Sequence, residues 1–347
     1  MANRDTPAPI RVGLIRCDTH GAYYGALMAA HDPLRLQRPL APGGTSRYSW
    51  QTGGAHFYFY TDYANASRLT VEAVDGFRLT KVWDEHVDAA ECLAALFTEP
   101  PQVCDSVEQV SDEVDLVFIA DCNGDGSDHL QLARPGLEKG VATFVDKPMA
   151  RTLADARELV ELAAAHNAPL TSISILRALP QARDFAQRLA EVGDLQFGSV
   201  QGGGPSLAGQ IHTISLAQHI FGTGIVGVRA MGDDNPNTIH LDYGEGAGYP
   251  ARGVTLSCDV GPVWHCAFQA SAYGPQGAIH SPPLGDFVFP YGAAEVLRQV
   301  RDMTHTGQVP ALTADMVQAV AIAEASRRAH ESGTRIALDP TTSGVTP

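Results

Sequence analysis

Cysteine is scarce in this chain: six residues, at 17, 92, 104, 122, 258 and 266, with no C-x-x-C pair among them. That number and scatter argue against a disulfide-built scaffold and fit a protein kept in a reducing compartment. Positive charge is also short. Lys and Arg total 24 against 39 Asp and Glu, a formal net charge of −15 at pH 7. A surface of that sign repels phosphate backbones and anionic lipid, which argues against a general nucleic-acid binder. No apolar run approaches the roughly 18 residues of a membrane span. The opening Met-Ala-Asn-Arg-Asp-Thr-Pro-Ala-Pro lacks the apolar stretch of a secretory signal. The expectation is a cytoplasmic protein without nucleic-acid or membrane partners.

What remains is ample for a core. The chain has 347 residues, 44% of them hydrophobic and 18% charged, enough for about two domains. Its first half alternates two periods. Strand-like runs at 10–16, 78–83, 115–120, 141–145 and 169–173 are separated by helical patterns at about 21–30, 87–97, 127–138 and 152–166. Gly140 is placed to end one helix, and Thr152 with Asp155 has the spacing that opens another. Such alternation predicts α/β architecture: a parallel, doubly wound sheet of Rossmann type over 1–150, with ligands at the carboxyl ends of the strands.

Residues 32–76 interrupt the scheme with Pro, Gly and aromatics, including Tyr48, Trp50, Phe57, Tyr58, Phe59, Tyr60 and Tyr63. A loop this long is an insertion packed on the domain surface, an active-site cover or an oligomer contact. From 151 to 347 the pattern changes, although the helix and strand at 152–173 still belong to the first series. A helix at about 206–221 precedes short β-like runs at 226–231, 238–243, 253–260 and 263–272. A last helix at 314–332 and a short strand at 335–338 follow. These predict a C-terminal α+β domain built on a mostly antiparallel sheet.

Several motifs stand in a fixed order. They are a strand–helix start at Ile10–Gly21, the acidic Asp84 after the second strand, Phe144-Val-Asp-Lys-Pro-Met-Ala150, Arg177, and the helix carrying His212. The ending Ala325–Leu338 completes the set. Together they resemble the Gfo/Idh/MocA family, named for glucose–fructose oxidoreductase and inositol dehydrogenase. The resemblance runs over roughly 10–31 and 77–340. It implies an NAD-dependent oxidoreductase moving hydride between a nicotinamide and a sugar, cyclitol or related polyol, assembled as a homodimer or homotetramer through the C-terminal sheet.

The resemblance also assigns roles. Lys147, in the segment similar to the family's Glu-Lys-Pro, would touch both nicotinamide ribose and substrate. An ammonium there can hydrogen-bond the reacting oxygen and relay its proton. His212 would be the acid/base on its helix, but the family's Asp four residues earlier is here Ala208, and the one three residues later is Ser215. Arg177 would help shape the substrate pocket. His219, seven residues on, is expected to be a packed histidine.

The cofactor turn departs most. Where a Rossmann fingerprint has its first two glycines, this chain has Arg16 and Asp18, and only the third, Gly21, remains. The turn resembles a subgroup with an Asp-Thr-x-His start. Asp18 would face a diphosphate with like charge unless it turns to cap the helix with Thr19.

The remaining cofactor candidates are His20, Asp84 for the adenosine ribose, Cys122, Asn123 and His129 at the next crossover, and Asp146. Asp84 follows Gly21 by far more than the usual ~20 residues, because the insertion intervenes. NAD is expected, with NADP or no nucleotide at all left open. Cys17, Cys104, Cys122, His20 and His129 fall near one sheet edge without zinc spacing, and no metal is expected. Two other readings stay open: a redox-neutral lyase or isomerase acting on a keto-sugar, and a non-catalytic ligand-binding or partner subunit.

Overall fold

A computed structural model describes residues 8–37, 69–122, 124–246, 248–261 and 266–339. Most of the expected insertion, with its aromatics, and the expected site residue Asn123 lie outside the described residues.

Six short runs form the first sheet: Ile10–Ile15 (β1), Phe77–Trp83 (β2), Gln102–Val103 (β3), Leu116–Ile119 (β4), Ala142–Val145 (β5) and Leu170–Thr171 (β6). All pairs are parallel, in the order β3-β2-β1-β4-β5-β6. The chain leaves β1 in one direction through β2 and returns on its other side with β4. That reversal opens a crevice at the carboxyl ends of β1 and β4, the usual ligand position of such sheets. Every residue of β4 and β5 is buried, because helices cover both faces.

The covering helices are Thr19–Met28 (α1), Val87–Ala94 (α2), Val107–Val110 (α3), His129–Glu138 (α4) and Leu153–Ala165 (α5). Thr152 caps α5 by accepting the Asp155 N–H at 3.1 Å, as its spacing predicts. The elements β3 and α3 were not anticipated; two and four residues are too few to display a period.

The second sheet has seven strands: Phe197–Gln201 (β7), Ile225–Met231 (β8), Thr238–Tyr243 (β9), Val254–Ser257 (β10), Gln269–Gly274 (β11), Gly277–His280 (β12) and Ile336–Ala337 (β13). Their order is β12-β11-β7-β10-β9-β8-β13. Only β7 and β10 run parallel; the other pairs are antiparallel. The remaining helices are Pro180–Gln187 (α6), Leu207–Phe221 (α7), Phe289–Thr306 (α8) and Thr313–Ser332 (α9).

One correction is large. The sequence pattern was assigned no element between 272 and 314, yet the 18-residue α8 lies there. Pro290 sits in its first turn, where a missing N–H costs nothing. Its apolar side, Ala293, Val296, Leu297, Val300 and Met303, joins the core built on β1, α1 and β4. Gly292 lets it come close: a Cβ there would lie 2.5 Å from the Ile175 carbonyl oxygen. Helix α9 bridges two cores, with Met316, Val317 and Val320 in one and Ala319, Ile322 and Ala323 in the other. No helix among the described residues is long and apolar enough to cross a membrane.

Candidate active site

A pocket of about 140 Å³ opens above the carboxyl edge of the first sheet. Its walls come from the start of α1, the turn after β5, the one-turn helix Ile175–Ala178, the start of α7 and the segment before α8. The expected residues Thr19, His20, Cys122, Lys147 and His212 all line it.

Lys147 follows β5 directly and is 2% exposed. Its peptide bond to Pro148 is cis. Its Nζ donates to the Cys122 carbonyl at 2.7 Å and makes no other hydrogen bond among the described residues. An ammonium carries three protons, so two remain for a ligand.

His212 stands near the start of α7, whose N-terminus is capped by Ser206. Its Nδ1 lies 2.8 Å from the Ser174 hydroxyl, which leaves Nε2 for the pocket. Burial, then the positive charges of Lys147 and His20, hold this imidazole well below its usual range. It is neutral at physiological pH.

His20 goes the other way. Its Nδ1 lies 2.5 Å from Asp146 Oδ2. Burial by itself would depress the ring, but Cys122 and the Asp146 carboxylate outweigh it and raise it well above the ordinary 6.5. Asp146 is held in turn. It accepts the Asp121 N–H at 3.0 Å and the Lys147 N–H at 2.8 Å, and stays ionised despite its burial because His20 and Lys147 are cationic. One pocket thus carries a charged and a neutral histidine, on α1 and α7. Groups pushed apart in this way are suited to opposite acid/base roles.

The sequence did not single out Tyr24, Ser174 or Asp286. Tyr24 sits in an apolar helix and looked like core, and it is 1% exposed. Tyr24 and Thr19 line the pocket, and the hydroxyls of both are buried without a partner among the described residues. A buried polar group left unmet costs roughly 1–3 kcal/mol, so both sites favour a hydroxylated ligand. Asp286 accepts the Cys266 N–H at 2.8 Å. Burial and then Asp286 push the Cys266 thiol up to about 12, so this sulfur is a neutral lining group.

Other candidates are placed elsewhere. Arg177 does not line the pocket: it is 3% exposed, donates to the Ser215 carbonyl at 3.4 Å and is paired with Asp315 on α9. This corrects its expected contact with substrate; the guanidinium ties three elements together instead. His219 is held near 4 by burial, then by the charges of Arg177 and Arg183. His129 is fully buried, with Nδ1 against the Pro148 carbonyl at 2.9 Å and Nε2 near Asp121 at 3.4 Å. Asp121, Asp128 and His129 form a cluster of metal-capable groups, but these internal bonds and the Arg16–Asp128 ion pair already use it.

The crevice between β1 and β4 bears directly on a dinucleotide. Two features fit one. Arg16 takes the left-handed φ of 76° that the tight turn needs, and Gly21 packs so closely that a Cβ would lie 2.4 Å from the Arg16 carbonyl oxygen. The diphosphate seat is another matter. Asp18, 0% exposed, accepts the His20 N–H at 2.9 Å, the Gly21 N–H at 3.3 Å and, across the crevice, the Cys122 N–H at 2.8 Å. Arg16 spans the same opening, bonded to Glu85 at 2.8 Å and to Asp128. Asp84 accepts the Cys17 N–H of the β1–α1 turn at 2.8 Å and the His86 N–H of its own turn at 3.0 Å, where a ribose was expected. The place expected for the diphosphate holds the chain's own carboxylate.

Comparison with known proteins agrees with the topology. The sequence model of GFO_IDH_MocA, an oxidoreductase family with an NAD-binding Rossmann fold, matches residues 54–173. The match excludes the β1–α1 turn. Among curated proteins none matches the chain. Solved structures similar to it include GenD2 from gentamicin A biosynthesis in complex with NAD, at 15% identity and TM-score 0.70, covering 98% of this chain and 99% of that one. A myo-inositol dehydrogenase from Corynebacterium glutamicum matches at 15% identity and TM-score 0.67, over 96% and 99%. An oxidoreductase from Agrobacterium radiobacter, in complex with NAD+, L-tartaric acid and magnesium, matches at 14% and 0.67, over 95% and 98%. At such identities the likeness speaks to fold. The family match is confined to residues 54–173 of 347, so over that segment the chain is similar to an oxidoreductase family with an NAD-binding Rossmann fold, and its two-sheet architecture is similar to that of the solved structures.

Proposed function

We propose that this chain interconverts an alcohol and a ketone on a polyhydroxylated ring, a sugar or cyclitol, with Lys147 and His212 handling the proton. The observation that carries this reading is the convergence in one pocket of the Lys147 ammonium, a neutral His212 and the unpartnered hydroxyls of Thr19 and Tyr24. A ring bearing several hydroxyls meets all of them at once. The rings of Tyr23 and Phe289 add apolar surface for the C–H face of such a ligand.

In the oxidising direction His212 takes the hydroxyl proton at its free ring nitrogen, while Lys147 donates a hydrogen bond to the same oxygen. The reducing direction runs the same step backwards, the protonated His212 returning the proton, while the charged His20, locked by Asp146, stabilises negative charge on the substrate oxygen. Bound NAD supplies the hydride acceptor or donor.

The test is a panel of inositols, aldoses and their keto forms with NAD(H) and NADP(H). Turnover of at least one ring polyol is expected. Its rate should hold level across neutral pH, because His212 protonates only well below its ordinary value and His20 loses its proton only well above. Substituting His212→Asn should cost roughly a hundredfold. A panel with no turnover under either nucleotide sinks the reading.

Asp18 in the diphosphate seat favours one alternative, redox-neutral acid/base chemistry on a keto-sugar by the same groups. Turnover of a keto-glycoside without nucleotide would point there. As for partners, the exposed side chains of the second sheet, Met231 and Tyr273 among them, support a homo-oligomer formed through that sheet. Light scattering after gel filtration should give a dimer or tetramer; a monomer at micromolar concentration removes this part.

A further inference from the structure

A helix start offers backbone amides without helical partners and a positive dipole end, the arrangement that receives diphosphate in dinucleotide-binding folds. Here those amides are spoken for. The Asp18 carboxylate sits on His20 N–H and Gly21 N–H with one oxygen and reaches Cys122 N–H with the other. It therefore bridges β1 to β4 at the point where the sheet order reverses.

One further donor on the same turn, the Arg16 Nε, is buried without a partner among the described residues. Glu85 and Asp128 meanwhile hold the Arg16 guanidinium across the opening.

We propose that Asp18 is a built-in competitor for the diphosphate seat, so that NAD(H) binds only by expelling it and is held weakly, as an exchangeable co-substrate and not as a resident group. The proposal rests on the family's use of NAD but not on which sugar is turned over. Two consequences separate it from a plain helix cap. Removing the carboxylate must strengthen nucleotide binding, although it removes hydrogen bonds from the free protein. Protein freshly purified must also release no nucleotide on denaturation.

The experiment titrates NADH, followed by its fluorescence, into the whole chain and into Asp18→Gly and Asp18→Asn, with no sugar present. Glycine at a helix cap costs little, and asparagine caps as well as aspartate without its charge, so at least one variant is expected to fold; thermal melting checks this. Wild-type affinity is expected to be weaker than ~100 µM, with Asp18→Gly at least roughly tenfold tighter and Asp18→Asn shifted the same way. Three results overturn the proposal: a wild-type affinity near 1 µM, a change of less than about threefold in both variants, or stoichiometric NAD(H) released from purified wild-type protein. Because no sugar enters the measurement, a failed polyol panel leaves this outcome interpretable. Tight binding to Asp18→Gly without polyol turnover would keep this proposal and reject the substrate reading.

Discussion

Replacing Lys147 by Ala is expected to lower kcat/KM by about 10³–10⁴-fold, the largest single effect in the molecule, with the fold intact. The side chain is 2% exposed but hydrogen-bonds only the Cys122 carbonyl. Few structural bonds are lost, while the substrate oxygen loses the Lys147 ammonium as a hydrogen-bond donor. Lys147→Arg should not rescue, because a planar fork cannot satisfy both the carbonyl and a tetrahedral oxygen from the same point. Steady-state kinetics beside circular dichroism decide the matter. An alanine variant within tenfold of wild type would remove Lys147 from the chemistry.

Asp146→Asn is expected to combine a stability loss of about 3 kcal/mol with a displaced pH profile. Asp146 is 1% exposed and accepts from two backbone amides as well as from His20. An amide keeps one accepting oxygen and loses the charge that keeps His20 protonated. The imidazole then sheds its proton, which limits the cost and brings the alkaline fall in activity to lower pH.

The signs follow from the two shifts. His20 is raised, so its contribution is complete below about 6.5 and fades as pH climbs through the folded value. Asp146 is lowered, so its contribution is complete above about 3.8 and fades as pH drops through the folded value. The melting-temperature gap between wild type and variant should therefore be widest between those limits and should narrow on both sides. A gap independent of pH would mean that the pair is not ionised.

Much of this was legible beforehand, for reasons the particular residues make clear. The runs around Leu116–Ile119 and Ala142–Val145 are buried on both faces, so their unbroken apolar character announced a parallel sheet. The family resemblance of the motif after the latter strand led to Lys147 and that of the later helix to His212, and both line one pocket. Other features had no local signature. Asp18 was weighed as a helix cap, but its bond to Cys122 joins residues 104 apart in sequence. Arg177 read as a substrate group because nothing near it announced Asp315, 138 residues later. Tyr24 was indistinguishable from core until its hydroxyl was seen to lack a partner.

Helix Phe289–Thr306 has one more effect, on biosynthesis. It contributes Ala293, Val296, Leu297 and Val300 to the same core as Val12, Leu14 and Phe118, nearly the whole chain apart. The amino-terminal unit therefore remains unfinished on the ribosome until the helix has emerged, with an apolar wall open to the cell's chaperones in the interval. A fragment cut after the sixth strand inherits that wall permanently. For this protein the half that carries the first sheet is not a detachable module.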